Sequence, residues 1–425
     1  ALMTLSHHLH GFWANAEHFV LPFVLAGFFA LYVAQVKWRG SLFLVSGLLF
    51  GAAILVKQHA VFFAGGAVLL LVTELVSGSS RPRQERIVRG IQFLVGLVVP
   101  FALLIGYLVS VGVFDRFYFW TFIYARAYVS EFTFSDGMHY LRGNLTPIIK
   151  TLLPLWILSA VGIASFFSKQ HSQSQKRIVL TILIAGALAV VPGYYFRPHY
   201  FLLLTPGIAL TAGLGLQSVL SVFQRFRQSV LSYIASSIVI TTIVGGCIGA
   251  HADVLFEFTP SYIARVVFGS NPFAESLPVA QFLKERSSPT DKIAVIGSEP
   301  QIYFYSQRRA ATGYLYHYPL IERQPYAVEM REEMIRQIER ASPRFLVYPQ
   351  ILPTWYKKHE GMVAIDDWFT TFTEQQYELV ARLEYGASVS PRLITDQDSL
   401  QQPPTTITWL SIFERKKNSP SVSTH

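Results

Sequence analysis

Eight apolar runs, each close to the length of a membrane-spanning helix, fill the first 250 residues of this 425-residue chain. A helix that crosses the hydrocarbon core needs about 20 mostly apolar residues, with a range of about 17 to 25. A soluble protein with buried helices is disfavoured because so many long runs lack charge. The sequence therefore predicts a multi-span α-helical membrane domain of about eight helices over residues 1–250. The runs cover approximately residues 18–36, 41–56, 59–76, 88–113, 146–168, 178–193, 200–222 and 229–250.

Charge is divided unevenly along the chain, which supports the same partition. Residues 1–250 hold 17 Lys and Arg against six Asp and Glu, whereas residues 251–425 hold 18 against 20. The positive excess falls in short loops between apolar runs and forms no single basic face. We therefore expect the partner of the basic half to be membrane lipid and expect no nucleic-acid partner.

Lys and Arg in alternate loops predict the orientation of the spans, since these residues accumulate in cytoplasmic loops. Eleven of the 17 lie in four alternate loops: Lys37, Arg39, Arg81, Arg83, Arg86, Arg89, Lys169, Lys176, Arg177, Arg225 and Arg227. The segments 1–17, 57–58, 114–145 and 194–199, and all residues after 250, would then face outward. Basic residues on that outer side run against the bias, and binding of an anion would explain them.

Beyond residue 250 the pattern changes to that of a soluble α/β domain, which we place at residues 251–413. Helices that alternate with strands favour a small, mostly parallel sheet with later strands added. The predicted elements are helices at 276–286 and 326–341, buried strands at 292–297 and 344–348, and edge or antiparallel strands at 377–385 and 406–413. Residues 414–425 are basic and then rich in Ser, and they predict a disordered tail.

The segment 194–200 is a charged, aromatic sequence between two apolar runs, so it must lie at a membrane surface. Arg197 is flanked there by Tyr195, His199 and Tyr200, and Pro198 predicts an extended backbone for the two residues before it. A guanidinium grips phosphate oxygens bidentately. We therefore expect Arg197, with His199 and Tyr195, to bind the anionic head group of a lipid.

Lys57 and Glu17 are two further charges at the ends of apolar runs. Lys57 caps a predicted hairpin over residues 41–76, where it is either a snorkelling lysine or a ligand of a lipid phosphate. Glu17 directly precedes the first run. It either serves as a general base or only complements the dipole of the helix that follows.

A histidine cluster precedes the first run. The residues His7, His8 and His10, together with Glu17, leave two interpretations open, a divalent-metal site or a surface cluster in a frayed terminus. No other cofactor is indicated by the sequence.

The loop over residues 114–145 is too polar to span a membrane and too aromatic for a solvated coil. Its mixture is typical of helices that lie in the membrane interface. It is either an interfacial anchor or the entrance for an acceptor substrate, and in the second case the candidate residues are Asp115, Arg116, Tyr124 and Arg126.

Three of these stretches resemble segments of the GT-C glycosyltransferases. They are residues 14–17 (ANAE), 47–58 (GLLFGAAILVKQ) and 197–206 (RPHYFLLLTP). The similarity is greatest to the bacterial branch that resembles protein O-mannosyltransferases and the lipid A aminoarabinose transferase. It covers roughly residues 11–220, and the order of many spans followed by an outward α/β domain is similar too.

The resemblance implies transfer of a sugar, with inversion, from a polyprenyl-phosphate donor to an acceptor at the outer face of a bacterial inner membrane. It implies phosphate contacts at Lys57 and Arg197, and an acid or metal role at Glu17. The family's main aspartate lies in a first outer loop that nothing here matches. We therefore expect the chain to start downstream of that loop and to lack that base.

Two other functions stay open on the sequence alone. One is a lipid-linked glycan binder or flippase component without catalysis, which the same basic outer mouth would serve. The other is an O-antigen-ligase-like transferase, for which paired arginines in a large outer loop, such as Arg116 and Arg126, would be the sign.

Overall fold

The structure is a computed structural model that describes residues 2–76, 81–126, 133–168, 171–224, 230–322, 324–351, 360–386 and 390–417. The chain divides into two compact units, Ala1–Glu257 and Phe258–His425. The first is helical, and the second contains a six-stranded sheet.

The first unit consists of long apolar helices joined by short turns. Within the described residues, four helices are long and apolar enough to cross a membrane, or five if one bent pair counts as a single span. Two shorter apolar helices, Gly40–Val56 and Tyr233–Gly249, accompany them. The helices are Ala16–Lys37 (α1), Gly40–Val56 (α2), Val61–Val76 (α3), Arg83–Ser110 (α4), Phe114–Tyr118 (α5), Phe134–Thr151 (α6), Leu153–Ala164 (α7), Gln173–Ala189 (α8), Thr205–Gln224 (α9) and Val230–Gly249 (α10).

Each of the eight predicted runs is largely helical, but the count of eight straight spans does not follow from the structure. The run predicted at 146–168 is divided between α6 and α7, whose axes differ by 91°. Leu152 separates them with non-helical backbone angles, and Pro154 stands at the start of α7. Proline lacks the N–H and its ring clashes with the preceding turn, so a helix begins at such a position rather than continuing through it.

Glycines bring the helix backbones of the first unit into direct contact. A Cβ atom on Gly47 of α2 would lie 2.0 Å from the Phe93 carbonyl oxygen of α4, and one on Gly96 would lie 2.1 Å from that of Leu44. Small residues permit this close approach, which drives helix association where solvent gives no hydrophobic gain. This close packing holds α2 against α4, and Lys57 directly follows the end of α2.

Two of the predicted cytoplasmic loops are in contact at one end of this unit. The Trp38 Nε1 donates a hydrogen bond of 2.8 Å to Glu85, and the Arg81 guanidinium lies 5.4 Å from the Trp38 ring. These contacts join the loop after α1 to the start of α4. The predicted basic-loop residues Lys169, Arg225 and Arg227 lie outside the described residues.

The second unit is a sheet flanked by helices. Its helices are Pro260–Phe268 (α11), Ser276–Arg286 (α12), Gln301–Ser306 (α13), Tyr318–Ile321 (α14), Ala327–Ala341 (α15), Glu360–Gln376 (α16) and Gln397–Gln401 (α17). The strands are Lys292–Val295 (β1), Arg309–Ala310 (β2), Phe345–Gln350 (β3), Tyr377–Tyr385 (β4), Arg392–Ile394 (β5) and Thr408–Arg415 (β6). Both predicted helices and all four predicted strands are present, while the other five helices and the strands β2 and β5 were not predicted.

The sheet is mixed, with strand order β2-β1-β3-β6-β4-β5. Strand β1 pairs in parallel with β2 and β3, whereas the pairs β3–β6, β6–β4 and β4–β5 are antiparallel. The expectation of a mostly parallel sheet is therefore wrong, because the late strands supply three of the five pairings. They bury Ile412 and Leu383 in the same core as Val295 and Val347.

The boundary of the predicted tail is also wrong at its first residues. Glu414 and Arg415 belong to β6, where they pair with Phe345 and Tyr377 respectively. Strand β3 on one side and strand β4 on the other therefore hold this end of β6 in register. Residues 418–425 of the predicted tail lie outside the described residues.

Candidate functional site

Lys57 and Glu17 form an ion pair at one end of the helical unit. Lys57 is the first residue beyond α2 and has an extended backbone (φ −155°, ψ 129°), which turns its side chain out of the helix. Glu17 lies in the first turn of α1. The Glu17 side chain is 1% exposed and that of Lys57 is 20% exposed. The two residues that the sequence proposed for separate roles are thus partners.

The ring of Tyr200 is the centre of the cluster around this pair. The Lys57 Nζ lies 4.3 Å from the Tyr200 ring centroid, within the range of a cation–π interaction. The rings of His59 and His199 meet the same tyrosine at centroid distances of 5.0 and 4.9 Å. Tyr200 is buried. The ammonium therefore lies against a buried aromatic ring.

The segment that carries Arg197 is shaped by an unusual backbone. Gly193, Tyr194 and Phe196 have positive φ angles of 75°, 57° and 42°. Arg197 itself is extended before Pro198, as predicted, but Phe196 is not. Residues other than glycine in this conformation carry strain, which the surrounding structure must offset.

Contacts from neighbouring elements hold this segment in place. The Asn144 side chain of α6 donates a hydrogen bond of 2.9 Å to the Phe196 carbonyl. The Arg197 guanidinium lies 4.9 Å from the Tyr195 ring centroid. His199 follows Arg197 by two residues, and its ring meets the Tyr200 ring over which Lys57 lies. The two predicted phosphate ligands therefore lie near one imidazole, at the same end of the unit.

The N-terminal segment is folded rather than frayed, which corrects one of the two interpretations offered for its histidines. Leu9 is 1% exposed and belongs to the same buried cluster as Tyr200. The His10 ring stacks on His199 at 5.8 Å and meets Trp13 at 5.3 Å. Burial, followed by the charge of His7, lowers the pKa of His10 to about 4, so the ring is neutral at pH 7.

The histidines and Glu17 make separate contacts in the structure, and a metal role for them stays a prediction. Within the described ranges, no group of three or more His, Cys, Asp or Glu side chains is placed to hold a metal ion. His7 instead contacts the rings of His8 and His251 at 3.9 and 5.9 Å, and Glu17 is bound to Lys57. The four residues named for a metal therefore take part in separate contacts, with His7 and His8 in one, Glu17 in another and His10 in its stack on His199.

The segment 114–126 joins the edge of the cluster through the hairpin turn. The Gln58 Nε2 donates a hydrogen bond of 3.1 Å to the Thr121 carbonyl. Asp115 and Arg116 lie in the exposed helix α5, while Tyr124 ends a π-helical turn over Phe119–Tyr124. Arg126 is exposed and is the last described residue before the gap at 127–132. The role of these four residues as an acceptor entrance stays a prediction.

Three contacts bring the predicted outer segments of the helical unit to one end. Glu17 pairs with Lys57, Gln58 binds the carbonyl of Thr121, and Asn144 binds the carbonyl of Phe196. They connect residues 1–17, 57–58, 114–145 and 194–199. The Trp38–Glu85 contact is at the other end of α1, which is about 33 Å long at 1.5 Å per residue.

An apolar cavity of about 510 Å³ lies deeper in the same unit. It is bounded by the N-terminal turn, α1, α7, α9 and α10, and its lining includes Met3, Leu21, Leu155, Ala209 and Ile240. Leu21 follows Glu17 by four residues on α1, so the two side chains share a helix face. The cavity therefore starts about one helical turn from the ion pair.

Sequence reasoning missed several residues of this site. His59 and Tyr200 were adjacent to predicted ligands, so their proximity in the chain was the available signal. Asn144 gave no signal, because a single asparagine in an amphipathic segment has many ordinary roles.

The chain matches no protein-family model, and no curated protein matches it.

Proposed function

We propose that this chain is a membrane-embedded glycosyltransferase of GT-C type that takes a sugar from a polyprenyl-phosphate donor. The observation that carries the proposal is the position of Lys57 over the Tyr200 ring, which contacts His199 and follows Arg197 by three residues, at one end of a set of apolar helices. An ammonium and a guanidinium at the end of a span suit a lipid phosphate, one as a point charge and the other as a bidentate donor.

The apolar cavity supports the lipid part of the proposal. A polyprenyl chain needs an apolar surface that begins near its phosphate, and this cavity begins about one turn from Glu17 and Lys57. Its lining is dominated by aliphatic side chains. Burial of such a chain contributes about 0.8 kcal/mol for each buried CH₂ group, so even partial occupancy would stabilise binding.

The reaction that follows is a single displacement. The acceptor hydroxyl attacks the anomeric carbon, its proton passes to a carboxylate, and the bond from that carbon to the phosphate oxygen breaks. The electron pair leaves with the polyprenyl phosphate, whose charge Lys57 and Arg197 stabilise. Glu17 is the candidate for the base in this chain, and the configuration inverts because the attack comes from the opposite face.

Orientation and compartment belong to the same proposal. The cluster would face the outer side of a bacterial inner membrane, residues 251–413 would be extracytoplasmic, and residues 114–126 would form the acceptor entrance. A lipid-phosphate binder without catalysis is the second candidate, and the observation that favours it is the ion pair that occupies Glu17.

Sugar transfer by Arg197→Ala tests the proposal. Membranes that contain the protein are given a polyprenyl-phosphate sugar, and both turnover and retention of the lipid phosphate are measured. We expect both to fall by at least ten-fold, with partial recovery in Arg197→Lys and little change in Arg142→Ala, an exposed arginine of α6. Undiminished turnover in Arg197→Ala would remove Arg197 from the mechanism.

A further inference from the structure

We infer that Glu17 is an internal competitor for the phosphate-binding lysine, so that arrival of the lipid phosphate frees this carboxylate. The inference rests on the proposed function and deepens it by assigning an order to the site. In the resting state the carboxylate of Glu17 occupies the position on Lys57 that a phosphate oxygen would take.

The first argument is the difference in burial between the two partners. The Glu17 side chain is 1% exposed, whereas that of Lys57 is 20% exposed. A ligand therefore reaches the ammonium before it reaches the carboxylate. The ammonium also lies 4.3 Å from the Tyr200 ring centroid, so an incoming anion would contact the part of Lys57 that stays exposed.

The second argument is the incomplete pairing of the carboxylate. Its Oε1 binds Lys57, whereas Oε2 is buried and accepts no hydrogen bond from the described residues. A buried carboxylate with one partner is weakly compensated, because each missing hydrogen bond leaves part of its desolvation cost uncorrected. Such a group is poised to take a hydrogen bond from a hydroxyl that enters the site.

The two arguments together give an order of events. The donor's phosphodiester carries one negative charge, as the carboxylate does, but it can bind Lys57 and Arg197 together, so the two cations draw it more strongly than Lys57 alone holds Glu17. Glu17 then loses its cation and can accept the proton of the acceptor hydroxyl. Before the donor binds, the pair keeps the carboxylate occupied, which prevents acceptor activation without donor.

Competition and a simple supporting role for Glu17 predict opposite changes in phosphate affinity when Glu17 is replaced. If Glu17 only positions Lys57, Glu17→Gln weakens the binding of a phosphate. If Glu17 competes, the same substitution frees Lys57 and strengthens binding. One titration of the Glu17→Gln variant therefore distinguishes the two hypotheses.

The experiment measures the dissociation constant of a free polyprenyl phosphate for the full chain in detergent micelles. We expect Glu17→Gln to bind about ten-fold more tightly than the wild type, and Glu17→Asp, whose carboxylate is one methylene shorter, to fall between them. Lys57→Gln in the Glu17→Gln background should abolish the gain. Glu85→Gln removes a carboxylate from the other end of the unit and should leave binding unchanged.

The outcomes distinguish this inference from the proposed function. Wild-type binding that Lys57→Gln weakens, with no tightening in Glu17→Gln or Glu17→Asp, overturns the competition and leaves the phosphate site standing. Equal tightening in Glu85→Gln would reduce the effect to net charge and also overturn it. Failure of the folded wild type to bind the lipid phosphate contradicts both. Should Glu17→Gln not fold, the Glu17→Asp titration decides the sign.

Discussion

The ammonium of Lys57 lies 4.3 Å from the centroid of the Tyr200 ring, although 143 positions separate the two residues in the chain. The contact joins the end of α2 to the turn that leads into α9. It brings one cation to the segment that carries Arg197, and it does so on the face of a buried aromatic ring. The anion site that we propose depends on this meeting of two distant helix ends.

Replacement of Tyr200 should weaken lipid-phosphate binding through Lys57. A cation–π contact contributes about 0.5 to 2 kcal/mol, so we expect Tyr200→Leu to raise the dissociation constant of a polyprenyl phosphate by roughly two- to thirty-fold. Tyr200→Phe keeps the ring and serves as the matched control, with little change expected. Equal losses in the two variants would assign the effect to the hydroxyl instead.

Removal of the Asn144 donor should loosen the segment that carries Arg197. Asn144→Asp preserves the shape of the side chain but replaces the NH₂ that donates to the Phe196 carbonyl with an acceptor. We expect a loss of about 1 to 3 kcal/mol in the free energy of unfolding. Hydrogen–deuterium exchange should also rise at residues 194–197. Unchanged exchange there would show that the strained turn holds itself.

Close helix contacts should make Gly162 intolerant of a side chain. A Cβ atom on Gly162 of α7 would lie 1.9 Å from the Thr211 carbonyl oxygen of α9. We expect Gly162→Ala to lower thermal stability in detergent by an amount equivalent to about 1 to 3 kcal/mol. Gly90→Ala is the control, because nothing lies within 4 Å of its added Cβ and alanine favours the helix. A stable Gly162→Ala variant would contradict the tight α7–α9 packing.

Stability of the helical unit should fall in acid partly through His10. Its pKa is lowered from 6.5 to about 4 by burial, so the unfolded chain binds a proton more readily than the native state. This contribution is therefore complete above about pH 6.5 and is lost as the pH falls toward 4. We expect His10→Gln to flatten the decline of the melting temperature between pH 7 and 5, whereas His139→Gln, at an exposed position, should not. An unchanged slope in His10→Gln would contradict the burial argument.

The helices of the first unit were predictable because length and apolar composition decide them. What the runs did not contain was the bend between α6 and α7. The apolar run starts at residue 146, but the helix starts at Phe134, where Thr133 and Asp136 form a reciprocal cap. The first half of this helix is polar, so the apolar pattern did not show where the helix begins. Pro154, at the start of α7, was not used to predict the break.

In the second unit, the short strands and the direction of strand pairing could not be predicted from the sequence. Strands β2 and β5 have two and three residues, too few for an alternating pattern. Helix α16 did carry a signal, since Ile365, Phe369 and Phe372 recur at helical spacing and are buried. Parallel or antiparallel pairing is set by the path of the chain between strands, which local pattern does not record.

For the candidate site, the sequence named the charged residues but not how they pair. Glu17, Lys57, Arg197 and His199 were each named from their position at the end of an apolar run. That Lys57 binds Glu17, and that Tyr200 lies between His59 and His199, depends on helix ends that converge from far apart in the chain. Such convergence is a property of packing rather than of any one segment.

The most direct test is a double-mutant cycle on Lys57 and Arg197, with polyprenyl-phosphate affinity as the readout. If both cations hold one phosphate, Lys57→Ala and Arg197→Ala should each weaken binding by about ten-fold or more. The double variant should then lose at least about three-fold less than the product of the two single losses. Single losses that multiply within two-fold, or no loss in either variant, would contradict a shared phosphate site.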